Sequence, residues 1–108
     1  SSLRFLGATK FEILPITSQD LLLDRFRIRN TGQITLTNYT VTIDGVRKNL
    51  VVQKKIEPQE KEYLFFADPL FSGRHDLVVS SNGYIQSAII TVPSSDDWHI
   101  RISSITVG

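Results

Sequence analysis

Roughly eight short runs of alternating apolar and polar residues, two tight-turn dipeptides between such runs, and only three alanines (Ala8, Ala67 and Ala88) in 108 residues predict an all-β fold. Turn signals spaced about 8 to 12 residues apart fit an immunoglobulin-like antiparallel β-sandwich of about seven to eight strands, in one domain spanning 1–108. A closed small barrel is the alternative. The longer loops near Gln53–Gln59 and Asp68–Arg74 favour the sandwich, because Greek-key connections must carry the chain between sheets.

The first strand is expected within Leu3–Ile16, broken or bulged near Gly7 and Pro15. Leu21–Arg29 follows, with Arg25, Arg27 and Arg29 on one face and Phe26 and Ile28 on the other. In Leu36–Ile43 the side chains of Tyr39, Val41 and Ile43 face away from those of Asn38, Thr40 and Thr42, the mark of a half-buried strand. Asp44-Gly45 then suits a two-residue type I′ turn, so 36–43 should pair with 46–53. Lys61–Ala67 is the next strand. Asn82-Gly83 gives a second hairpin, joining Asp76–Ser80 to Tyr84–Val92, and Trp98–Val107 closes the chain after the polar hinge 94–97. Almost no helix is expected.

Composition narrows the function classes. A formal net charge of +1 with 21% charged residues is too balanced for a nucleic-acid binder. With no cysteine there is no disulfide framework, thiolate nucleophile or cysteine-ligated zinc site. Methionine is absent and Ser1-Ser2 runs straight into a strand-like segment, so the chain reads as a fragment. No apolar run reaches the roughly 18 to 20 residues of a membrane span, and any anchor is expected outside this fragment.

Chemistry-bearing clusters are few. His75 and His99 read as solvated strand-end residues, and no serine lies in a G-x-S-x-G elbow, so an enzyme is not expected. Asp96-Asp97, helped by Asp20, Asp24 or Asp76, has the oxygen chemistry of a calcium site, but an exposed acidic turn is the simpler reading and no metal or cofactor is expected. The Arg25, Arg27, Arg29 stripe reads first as a solvated face that guards an edge strand, and second as a docking face for an acidic partner. Lys54, Lys55 and Lys61 intermix with Glu57, Glu60 and Glu62. Asn38-Tyr39-Thr40 is an N-x-T glycosylation acceptor, which would place the domain outside the cytoplasm if used.

The informative excess is apolar. Ile89 with Ile90, Leu64 with Phe65 and Phe66, Val51 with Val52, and Val78 with Val79 are neighbours that must face opposite sides of their strands. Either loops cover the second face, or one member of each pair forms an exposed patch for self-association or partner docking. Tyr84, Ile85, Ile89, Val51 and Phe65 are the candidate interface residues. In a rival reading, Trp98, Tyr63 and Tyr84 form an aromatic platform for carbohydrate in an accessory module of a secreted enzyme or adhesin.

Phe26-Arg27-Ile28-Arg29-Asn30-Thr31-Gly32, followed by Leu36-Thr37-Asn38-Tyr39-Thr40-Val41-Thr42-Ile43-Asp44-Gly45, resembles the V-x-N-x-G … L-x-N-V-x-V-x-V-D-G pattern of archaeal extracytoplasmic immunoglobulin-like domains. Ile56-Glu57-Pro58-Gln59-Glu60 matches the I-x-P-G-E turn that follows, with Gln59 where that family commonly has Gly. These motifs cover about a third of the chain. Within the group, the size and build are similar to the soluble domains of the archaellum F and G stator proteins. The resemblance implies a non-enzymatic domain in the archaeal cell envelope, membrane-anchored only through an N-terminal segment outside the fragment. Its implied partners are the surface-layer protein and a homologous β-sandwich stator subunit, in a homo- or hetero-oligomer. It carries over no catalytic or ligand-binding residues.

Overall fold

The computed structural model describes residues 7–94. Seven strands and one short helix occur in the order β1 (Phe11–Ile13), α1 (Ser18–Leu22), β2 (Arg25–Asn30), β3 (Thr40–Ile43), β4 (Val46–Lys48), β5 (Lys61–Phe65), β6 (Gly73–Ser81) and β7 (Tyr84–Val92). They form two antiparallel sheets, one of three strands in the order β1-β2-β5 and one of four in the order β4-β3-β6-β7. The chain crosses between the sheets after β2, after β4 and after β5, so both loops expected to do so, near 53–59 and 68–74, lie on crossings.

Both predicted tight turns form as type I′ hairpins. Asp44 and Gly45 have φ of 51° and 82°, and Asn82 and Gly83 of 50° and 82°, the positive pair that such a turn requires. The alternation of β3 holds, with Tyr39, Val41 and Ile43 buried and Thr40 and Thr42 half-exposed. One core unites the sheets. Phe11, Phe26, Ile28 and Leu64 enter it from the three-stranded side, and Val41, Leu77, Val79, Ile90 and Val92 from the four-stranded side.

Several boundaries differ from expectation, each for a local reason. The expected strand 21–29 begins only at Arg25, because Thr17 caps a helical turn before it: its hydroxyl accepts the Asp20 N–H at 3.1 Å and its own N–H donates to the Asp20 carboxylate at 3.2 Å. Leu36 makes only an isolated bridge to Ile56, so the ladder of β3 starts at Thr40. Strand β4 ends at Lys48, where the chain turns toward β5: Ala67 N–H donates to the Asn49 carbonyl and Val51 N–H to the Phe65 carbonyl. Strand β6 is longer than expected at both ends, and of the expected strand 3–16 the ladder takes only Phe11–Ile13. Trp98–Val107 lies outside the described residues, as do Leu3–Leu6.

The motif residues prove structural. Asn30 is fully buried, and its amide donates to the carbonyls of Ile34 at 2.8 Å and Ile56 at 3.0 Å while its Oδ1 accepts the Gly32 N–H at 2.9 Å. Gly32 has no room for a side chain, since a Cβ there would stand 2.7 Å from the Ala8 carbonyl oxygen. Together they stitch the β2–β3 crossing to the turn at 56–60.

Candidate functional site

Strand β7 forms one edge of the four-stranded sheet among the described residues, and its outer side is the most apolar exposed strand face there. Over Tyr84–Val92 it contains no charge, no proline and no glycine, the side-chain devices that blunt an edge, although α1 and β1 pack against the strand. Even-numbered positions turn inward, which buries Ile90 and Val92, and odd-numbered positions turn outward, which leaves Ile85 61% and Ile89 59% exposed. In the β6–β7 register Ser80 faces Ile85, Val78 faces Ser87 and Asp76 faces Ile89. Val78 therefore sits diagonally between the two isoleucines, and a shallow concavity opens over Asp76, Val78, Ser87 and Ile89. Thr40, Thr42, Ser80, Ser87 and Thr91 share this face, with exposed Arg74 and Asp76 at the Ile89 end.

The five candidate interface residues do not form one patch. Ile85 and Ile89 share the outer face of β7. Phe65, 36% exposed, lies on the outer face of the three-stranded sheet, and Val51, 65% exposed, is in the β4–β5 loop beside it, where its N–H donates to the Phe65 carbonyl. Tyr84 turns inward and meets the ring of Phe11 edge-on at a centroid distance of 5.0 Å, so it supports the core and does not present a docking surface. Among the apolar doublets, Ile90, Leu64, Phe66 and Val79 are the buried members, while Val51 and Val52 are both exposed.

Of the expected aromatic platform, Tyr63 and Tyr84 lie on different sheets. Tyr84, on the four-stranded sheet, packs across the core on Phe11, and Tyr63, on the three-stranded sheet, lies beneath the Arg25 guanidinium at 4.2 Å from the ring centre. Trp98 lies outside the described residues. Asp20, Asp24 and Asp76 are likewise not gathered: Asp20 binds Arg25, Asp24 accepts the Leu70 N–H, and Asp76 stands on β6. No group of three metal-ligating side chains occurs among the described residues, and Asp96 and Asp97 fall outside them, as does His99. Asn38 is exposed, with its carbonyl held by the Ser81 hydroxyl.

His75 is not the freely solvated residue expected of a strand end. Its ring is clasped between the Asp44 carboxylate and the carbonyls of Phe71 and Ser72. The arginine stripe also differs: β2 is the central strand of its sheet, so Arg25, Arg27 and Arg29 guard no edge.

One surface escaped sequence reasoning. An open groove of about 560 Å³ runs between α1 and the β5–β6 loop, lined by Leu21, Leu22, Leu23, Leu70, Phe71 and Val92. Phe71 is 76% exposed at its rim. The signal was the run Leu21-Leu22-Leu23, which a strand reading absorbed as ordinary alternation. No helix among the described residues is long and apolar enough to cross a membrane. No protein-family model, curated protein or solved structure matches the chain.

Proposed function

We propose that this chain is a non-enzymatic, immunoglobulin-like interaction domain of the archaeal cell envelope, acting as an archaellum stator component. It engages a second β-sandwich subunit or the surface-layer protein through the outer face of β7, which lies at the edge of the four-stranded sheet among the described residues. The observation that carries this reading is the pairing of Ile85 and Ile89, each about 60% exposed, on a nine-residue uncharged strand that ends the sheet among the described residues. A strand of that kind is a template for edge pairing unless a partner covers it. In chain order the two sheets correspond to strands A-B-E against C′-C-F-G, which supports an immunoglobulin-like sandwich over a closed barrel. The resemblance around Asn30-Thr31-Gly32 and Ile56–Glu60 supports the archaeal envelope assignment.

A stator must hold shape under torque, which two laddered sheets over one core provide without an active site. The test pairs mass with capture. Multi-angle light scattering should find a larger species for the wild type than for the Ile85→Lys/Ile89→Lys variant, or the wild type alone should retain purified surface-layer protein. The variant should melt with the wild type, because both positions face solvent. Equal masses together with equal surface-layer binding would sink the proposal.

A further inference from the structure

The outer face of the three-stranded sheet carries charge that the fold leaves unspent. Arg25, Arg27 and Arg29 point outward from its central strand, flanked by Lys61 and Tyr63 on β5, with Tyr63 opposite Arg27 and Lys61 opposite Arg29. Glu12 lies across from Arg29 on β1. Arg25 is neutralised by Asp20, its Nε 3.0 Å from the carboxylate. Arg27 and Arg29 differ. Their Nε atoms are sealed from water with no hydrogen-bond partner among the described residues, and neither side chain joins an ion pair there. Arg27 is instead braced by the Tyr63 ring, 5.6 Å from its centre.

A guanidinium whose Nε is desolvated without an acceptor is incompletely solvated, so an anion meeting its open edge displaces less water and gains more. The planar fork suits a carboxylate, which it holds through two parallel bonds. Residues two apart on a strand repeat at about 6.6 Å on one face. Arg27 and Arg29 therefore present two forks at the spacing of alternate side chains in any extended chain.

We propose that this face docks an extended acidic protein segment with carboxylates at alternate positions, seated on Arg27 and Arg29 and extended toward Lys61. The surface lies on the opposite sheet from β7, so the domain has two separate contact faces, and failure of one leaves the other standing. A disordered polyanion lacks the fixed spacing and gains only the screened, general attraction.

The test uses a fluorescein-labelled ten-residue peptide alternating Glu and Thr, with an isomer carrying its glutamates in one block. Fluorescence anisotropy should show saturable binding of the alternating peptide and weaker binding of the block isomer. Arg27→Gln/Arg29→Gln should weaken binding on the order of tenfold or more, the scale of lost charged hydrogen bonds. Arg27→Lys/Arg29→Lys should recover only part, since charge returns without the fork, and Glu12→Gln should tighten binding. Urea melts check that each variant folds, and Glu12→Gln, on an exposed side chain, keeps the question answerable if the arginine variants do not. Unchanged binding in the folded variants, no preference over the block isomer, or tighter binding of a sulfated polysaccharide at the same arginines would each overturn the proposal.

Discussion

Nδ1 of His75 lies 2.6 Å from Oδ2 of Asp44, a bond that ties the start of β6 to the β3–β4 turn. The other carboxylate oxygen of Asp44 accepts the Asp76 N–H at 2.8 Å, and Nε2 of His75 reaches the Phe71 carbonyl at 2.9 Å. Carbonyl and carboxylate oxygens only accept, so both ring nitrogens must donate, and the imidazolium is the form that satisfies every partner.

Stability should therefore fall with rising pH through the histidine. The hydrogen bond to Asp44 holds the His75 pKa above its ordinary value of 6.5, with burial opposing it. Its contribution is complete below 6.5 and is lost as pH rises through the elevated value. The Asp76 N–H and then His75 hold the Asp44 pKa below its ordinary 3.8, so that contribution is present above 3.8 and is lost as pH falls through the depressed value. The clasp is strongest between those two ordinary values. Urea midpoints for wild type and His75→Gln should converge from pH 6.5 upward, and NMR titration should place the His75 pKa above 6.5. Parallel pH profiles would refute the clasp.

Asn30→Ala should cost about 3 kcal/mol, because it strips partners from the buried Ile56 carbonyl and Gly32 N–H and from the partly buried Ile34 carbonyl. Asn30→Asp keeps the Gly32 contact but turns a carboxylate oxygen toward two carbonyls. It should be more destabilised at pH 7 than at pH 4, where a protonated carboxyl can donate to one of them. Thermal melts of the three proteins at both pH values check the order.

What the sequence revealed and concealed divides along the range of the forces involved. The two hairpin turns were legible because Asp44-Gly45 and Asn82-Gly83 satisfy a demand local to four residues. The alternation of β3 was legible because one of its faces is entirely core. The split of Ile89 and Ile90 was not, since both parities of β7 carry β-branched side chains and only the opposing sheet decides which is covered. His75 and Asp44 are 31 positions apart, and their meeting depends on the β3–β6 register that sets Ile43 against Leu77. The helix at Ser18–Leu22 was signalled by Thr17 and Asp20, three apart, but a five-residue helix is too short to show a period.

The same cap should be measurable. Burial pushes the Asp20 carboxyl up, but the Thr17 N–H, the Arg25 guanidinium and the Thr17 hydroxyl outweigh it and hold the pKa below 3.8. Thr17→Ala should cost about 1 kcal/mol as a lost cap. Asp20→Asn should cost more, about 2 kcal/mol, since it also leaves Arg25 without its charge partner. Because a depressed carboxylate stabilises only while ionised, the Asp20→Asn deficit should be full above pH 3.8 and shrink below it. Chemical denaturation from pH 2.5 to 7 would show this, and a deficit independent of pH would reject it.

Gln59 is the site where substitution should help. Its φ is 73°, in the left-handed region that glycine enters freely and a side chain enters at a cost of about 1 to 2 kcal/mol. The backbone is committed to that shape, because Gln59 N–H donates to the Asn30 carbonyl at 2.7 Å and Glu60 N–H to the Glu57 carbonyl at 3.0 Å. Its side chain is exposed. Gln59→Gly removes the strain but frees the unfolded chain by somewhat less, so a net gain of about 0.5 kcal/mol is expected. The pattern that Ile56–Glu60 resembles commonly has glycine at this place, where no such strain would arise. Gln59→Ala keeps a Cβ and should gain nothing. A Gly variant no more stable than the Ala variant in urea would show that the turn tolerates the side chain without strain, and the motif would lose its structural meaning here.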